Sequence, residues 1–189
     1  MRKIGHGRYG DTVGVLQRAL ILALLGNFAN GLDQHVVADS LDEFHLMDVL
    51  SPNERACLDK AHHTYLDLIA FDFAYGASSA LLWALGLCGN PQLAAHCTEF
   101  EHLIADVYSR GFRNLVAEVR WRKPTAIAEE AHYYDAYQQI YRADLSTTDR
   151  NQTSYGMEYV IGPLDAYIVT GLQRAFAWIT TDSEWDETK

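Results

Sequence analysis

Four times in this chain an acid stands three residues before a histidine: Asp42–His45, Asp59–His62, Glu99–His102 and Glu129–His132. On a helix that spacing puts both side chains on one face, where a carboxylate and an imidazole can share a metal ion. Two pairs are Glu-x-x-His, the spacing found inside di-metal carboxylate bundles. Composition alone yields roughly one such pairing by chance, so direction has to decide. At 100° per residue, Phe100, Leu103, Ile104 and Val107 define the inner face of a helix starting near Thr98, and His102 points away from it. Asp59 and His62 face away from Cys57, Ala61 and Leu68, and His132 lies opposite the apolar arc of its own segment. The expectation is that every histidine looks toward water. Glu99, His102 and Asp106 remain weak candidates for a surface metal site, and no metal or other cofactor is expected.

Two carboxylates invite more attention. Asp72 sits inside IAFDFAY, and Glu130 falls between Ala126, Tyr134 and Tyr137. A buried carboxylate needs partners or a raised pKa, and tyrosine hydroxyls or Arg174 could supply them. Asp72, Glu130 and Arg174 are therefore the catalytic candidates, with Tyr134 as a fourth wall of the pocket they would form. A structural network is the more ordinary reading of the same residues. GASSA, residues 76–80, lies in a helical run rather than at a strand-to-helix turn, so Ser78 and Ser79 read as small packing residues rather than nucleophiles. No glycine-rich phosphate loop is present.

The segment AIAEEAHYYDAYQQIYRADL places Tyr134, Tyr137 and Tyr141 in a narrow arc, with Tyr133 at its edge. Buried phenols keep a partner for the hydroxyl, which suggests rings on the core and hydroxyls at a rim. Tyrosine is also enriched at binding hot spots. Tyr133, Tyr134, Tyr137 and Tyr141 are thus expected at a partner surface, together with Glu184, Trp185 and Asp186 of the acidic stretch DSEWDE.

Elements must position these groups. The chain has 189 residues, 49% apolar and 21% charged, which is globular composition. Alternation at period two is absent outside very short runs, so the expectation is an all-α fold: one orthogonal bundle of about seven helices. A basic arm would cover residues 1–10, the helical domain 11–181, and an acidic tail 182–189. The first helix, capped by Asp11 or Thr12, is apolar nearly all round, which makes it central to the fold. Arg18 interrupts its apolar run and argues against a signal peptide or a membrane span. Leu41 to Leu50 reads as a short helix. Ser51, Pro52 and Glu54 spell a capping box for the next. Leu68 to Pro91 reads as a second near-continuous apolar helix. Gly111 separates the Thr98 helix from one over 112–122, Pro124 opens the tyrosine helix, and 146–154 is a polar loop. The last helix buries Leu164, Ile168, Leu172, Ala175, Phe176 and Ile179.

Three stretches, LSPNERACL, FAYGASSALLWALGLC and GLQRAFAWITTDSEWDET, resemble in order the elements of a bacterial family, the domain of unknown function 4272. Two positions depart from its pattern. The acid that usually precedes LLWALG falls on Gly76, and the usual Glu-Arg pair is Gln173-Arg174. The resemblance supports a helical fold and implies no activity.

Net charge is −10, from 15 Lys plus Arg against 25 Asp plus Glu. That repels phosphate backbones and disfavours nucleic acid. Cys57, Cys88 and Cys97 form no disulfide or zinc pattern and fit reduced thiols in a cytoplasm. The leading expectation is a small cytoplasmic, non-enzymatic protein that binds another, basic protein, in its specific form an immunity or antitoxin-like protein. The alternatives are an enzyme with a pocket built from Asp72, Glu130, Tyr134 and Arg174, and a metal-binding protein. Self-association is left open.

Overall fold

The computed structural model describes residues 8–60, 63–64, 71, 73–92, 97–147, 163–181 and 183–187, with backbone alone at 97–100, 103, 107, 140–147, 163–166 and 187. Among them are eight α-helices and no strand: α1 (Thr12–Ala29), α2 (Gln34–Glu43), α3 (Pro52–Leu58), α4 (Ala74–Ala84), α5 (Cys97–Arg110), α6 (Phe112–Glu118), α7 (Pro124–Thr147) and α8 (Pro163–Thr180). Two 3-10 turns, Met47–Val49 and Trp185–Glu187, complete the described elements. The fold is all-α.

Asp11 caps α1 by accepting the Gly14 N–H at 2.9 Å. Its apolar circumference is then consumed from several sides: Val15, Leu16, Leu20, Ile21, Leu22 and Leu25 have no exposed surface. By length and hydropathy α1 would also suffice to cross a membrane, Arg18 included, contrary to the sequence expectation. α4 packs on α1 and on α8, and α8 packs on α7, so the core reads α1–α4–α8–α7. Glycines set the closest approach. A Cβ on Gly76 would lie 2.3 Å from the Ile168 carbonyl oxygen, and one on Gly171 would lie 2.1 Å from that of Phe73. The family's acid has no room at Gly76 while α4 and α8 meet this tightly. Ser78 and Ser79 are fully buried, and the Ser78 hydroxyl donates to the Ala19 carbonyl at 2.8 Å.

Several boundaries differ from the sequence reading. The helix expected over 41–50 begins earlier, because Asp33 accepts the His35 N–H as an N-cap. It stops where His45 takes a left-handed φ of 55°, a conformation that interrupts a right-handed helix. The helix expected over 68–91 runs only from Ala74 to Ala84, and residues 65–70 lie outside the described part. The helix expected over 112–122 ends at Glu118, because two carbonyls at the end of α4 recruit the chain. Arg120 N–H donates to Leu85 and Arg122 N–H to Ala84, both at 2.9 Å. Residues 148–154 of the expected polar loop are not described.

The ends of the described chain are docked. Arg8 N–H donates to the Ile179 carbonyl at 2.9 Å, the Arg8 guanidinium pairs with Glu184 at 3.2 Å, and Tyr9 packs on Trp121. Arg8 and Tyr9 are thus tied to the body, and residues 1–7 of the expected basic arm lie outside the described residues.

A candidate functional site between α3, α8 and the C-terminal turn

One charged residue interrupts α1, and its partner comes from the best local signal in the sequence. Glu54 closes the capping box of α3: the Ser51 N–H donates to its Oε2 at 2.8 Å, and the Ser51 hydroxyl accepts the Glu54 N–H. The same carboxylate accepts Nη1 of Arg18 on both oxygens, at 2.7 and 2.6 Å. Arg18 Nη2 donates to the Val49 carbonyl at 3.0 Å. Glu54 is 2% exposed and Arg18 9%. Desolvating two charges costs several kcal/mol each, so full hydrogen bonding of the carboxylate is what makes the pair tolerable.

Beside this pair lies a second arginine. Arg174, on α8, lies against two rings, its Cζ 4.6 Å from the centroids of both Phe73 and Trp185. Its Nη2 donates to the Trp185 carbonyl at 2.8 Å. Burial pulls the pKa of this guanidinium down; Asp186 and Glu54 oppose that, and Arg18 adds to it. Trp185 is 3% exposed and also meets Trp178 edge-on at 5.7 Å and the Arg18 guanidinium at 5.5 Å. Asp186 accepts the Asn53 N–H at 3.2 Å and so fastens the turn to the first residues of α3.

These groups wall a pocket of about 450 Å³, within the size range of small-molecule sites. Glu54, Arg174, Trp185 and Asp186 line it with Lys60, Phe71 and Phe73. Each of the three stretches that carry the family resemblance contributes to its wall: Glu54 from the first, Phe73 from the second, and Arg174, Trp185 and Asp186 from the third.

The sequence candidates divide around this arrangement. Arg174 is in the pocket, whereas Glu130 and Tyr134 do not line it, and Asp72 lies outside the described residues. Of the four residues expected to build an enzyme pocket, Arg174 alone among the described ones lines this cavity. Tyr134 is 2% exposed, stacks on Phe176 at 5.7 Å with an interplanar angle of 7°, and its hydroxyl oxygen accepts the Gln92 amide at 2.9 Å. Burial is the main reason its phenol is pushed up to about 12. Glu130 is half-buried, and burial, then the neighbouring Glu129, raises its carboxyl. The rim expected for the hydroxyls therefore rests on Gln92 at Tyr134.

Of the residues expected at a partner face, Tyr134 and Trp185 are interior. Their rings are committed to Phe176 and to the Phe73–Trp178–arginine cluster. Tyr133 is 55% exposed, Tyr137 is half-buried, and the side chain of Tyr141 is not described. Glu184 is exposed and paired with Arg8, and Asp186 is tied to α3. Within the acidic tail, the described residues 183–187 dock on the body through Asp186 and Trp185. Among the metal candidates, His102 and Asp106 are exposed, Asp106 pairs with Arg110, and the Glu99 side chain is not described. His132 is exposed as expected, but His63 is not turned to water: it meets Phe28 edge-on at 4.8 Å.

Sequence reasoning missed the Arg18–Glu54 pair and the pocket wall. A lone arginine in an otherwise apolar buried helix was the available signal, since such a charge demands a carboxylate.

An all-α fold with a docked C-terminal turn and an arginine-walled pocket defines the class: a compact helical domain with a built cavity. Its family follows from sequence. The model of DUF4272, a domain of unknown function, matches residues 8–188, and the chain belongs to that family. Comparison with curated proteins and with solved structures returns no match.

Proposed function

We propose that the protein is a non-enzymatic binding protein for a basic protein surface, and that α2 with the turn after it is the contact face. One observation carries this reading. Between Arg18 and Arg55 the chain has no lysine or arginine, while Asp33, Asp39, Asp42, Glu43 and Asp48 are all exposed. Asp39, Asp42 and Glu43 are three and four residues apart, so they share one outward stripe of α2. Val36, 47% exposed, belongs to the same stripe and offers an apolar contact inside the acidic field. Carboxylates of this kind, which form no ion pair among the described residues, steer a cationic partner and reject anionic ones. An immunity or antitoxin-like protein that neutralises a basic toxin is the specific form of this reading. Cytoplasmic residence fits it, as do reduced cysteines; among the described residues Cys57 and Cys88 form no disulfide.

The test is affinity capture from native lysate with the wild type and with the triple variant Asp39→Lys/Asp42→Lys/Glu43→Lys, whose sites face outward. The wild type is expected to retain a stoichiometric basic protein at low salt and release it at high salt, and the variant to retain none. Equal capture of the same partner by the variant, or no stoichiometric partner for the wild type, refutes the reading.

A further inference from the structure

We infer that the pocket between α3, α8 and the C-terminal turn binds a small organic carboxylate with an apolar body, its carboxylate on Arg174 and its carbon skeleton against Phe71 and Phe73. Charge is the first reason. The chain carries −10 overall, yet among the described lining residues the cations Lys60 and Arg174 match the acids Glu54 and Asp186 in number. Both acids are already engaged, Glu54 by Arg18 and the Ser51 N–H, Asp186 by the Asn53 N–H. With both acids engaged, the buried Arg174 Nε–H, without a partner among the described residues, is the group left for a ligand, and a cationic donor selects an anion.

Donor capacity is the second reason. A guanidinium carries five N–H donors in a fixed fork that matches a carboxylate. Among the described residues only the Trp185 carbonyl accepts from Arg174. The neighbouring Phe73 and Trp185 rings, which also touch each other at 6.3 Å, cover part of the fork and strip water from it, so a charge-assisted hydrogen bond there is stronger than at an open surface. The same rings argue against a cationic ligand, because the aromatic faces it would seek are occupied by Arg174. The third reason is the wall opposite. Phe71 is 7% exposed and lines the pocket together with Phe73 and Cys57. This surface favours a carbon skeleton over a bare inorganic anion. A volume of about 450 Å³ admits a small molecule and not a folded partner.

Benzoate and hexanoate are the probes, titrated into the full chain by calorimetry while the indole N–H signals are followed by NMR. Benzamide is the neutral counterpart of benzoate, and inorganic phosphate is an anion without a carbon body. Benzoate or hexanoate is expected to bind and shift the Trp185 indole, whereas benzamide and phosphate bind far more weakly. Arg174→Gln should weaken the carboxylate by about tenfold to a hundredfold, the loss of charged hydrogen bonds. That change also removes a plane stacked on Trp185. Lys60→Met, at an exposed lining position, is therefore the companion variant: it should keep the wild-type circular dichroism and lose affinity severalfold. Four results would each overturn the inference: no binding of either carboxylate, equal binding of benzoate and benzamide, binding of phosphate alone, or unchanged benzoate affinity in Arg174→Gln. The α2 triple variant should bind benzoate as the wild type does, so this site and the partner face fail separately.

Discussion

Replacing Glu54 by alanine leaves Arg18 as an uncompensated charge 9% exposed, inside a helix whose neighbours are leucines and isoleucines. Removing one partner of a buried ion pair costs about 3–5 kcal/mol. The same substitution deletes the carboxylate half of the α3 capping box, which accepts the Ser51 N–H; a lost cap costs about 1 kcal/mol. The two losses share one side chain and do not simply add, so about 4 kcal/mol is the working figure. Urea unfolding followed by far-ultraviolet circular dichroism reads it. With a slope of about 2 kcal/mol per molar urea, the midpoint should fall by about 2 M. The double variant Arg18→Met/Glu54→Gln removes both charges while its amide can still accept the Ser51 N–H. It should lie within about 1 kcal/mol of wild type, because hydrophobic replacement of a buried pair is close to neutral. The reasoning is refuted if Glu54→Ala leaves the midpoint almost unmoved, or if the double variant is as unstable as the two single variants combined.

Two further outcomes follow from packing and burial. Gly76→Ala should destabilise by about 1–3 kcal/mol in the same assay, because the new methyl meets the Ile168 backbone rather than a flexible side chain. An open helical glycine would instead gain about 0.5–1 kcal/mol from alanine, so a stabilised variant would disprove the close contact of α4 and α8. Burial pushes the Cys88 thiol up to about 11 from 9.0, against the opposing pull of its Asn90 hydrogen bond and Arg122. A raised folded-state pKa means the unfolded chain gives up the proton first as pH climbs. The contribution of Cys88 is therefore complete below pH 9 and lost between 9 and about 11, a fall of about 2–3 kcal/mol. Urea midpoints of wild type and Cys88→Ala should converge over that window, and parallel pH profiles would show that the thiol does not titrate this way.

Much of the local architecture was legible before any coordinates. Caps and breakers act over a few residues, so Asp11, the Ser51–Glu54 box, Gly111 and Pro124 mark helix boundaries where the fold has them. Periodicity also gave the inner face of α8, where Leu172, Ala175, Phe176 and Ile179 are buried, and the outward direction of His102 and His132. It failed where a distant group captured the backbone, as the end of α4 does at Arg120 and Arg122, and where a residue left helical φ, as His45 does.

The residues thus settle by themselves the helical class, the acidic balance and which faces of a helix are apolar, because all three depend on composition or on spacing within one turn. Only the tertiary structure pairs Arg18 with Glu54 across 36 positions, turns Trp185 inward, and brings Phe73 and Trp185 together against Arg174. Such contacts depend on how one helix is rotated and shifted against another. A 3.6-residue repeat carries the direction of each side chain from its own axis, and nothing of what the facing axis presents to it.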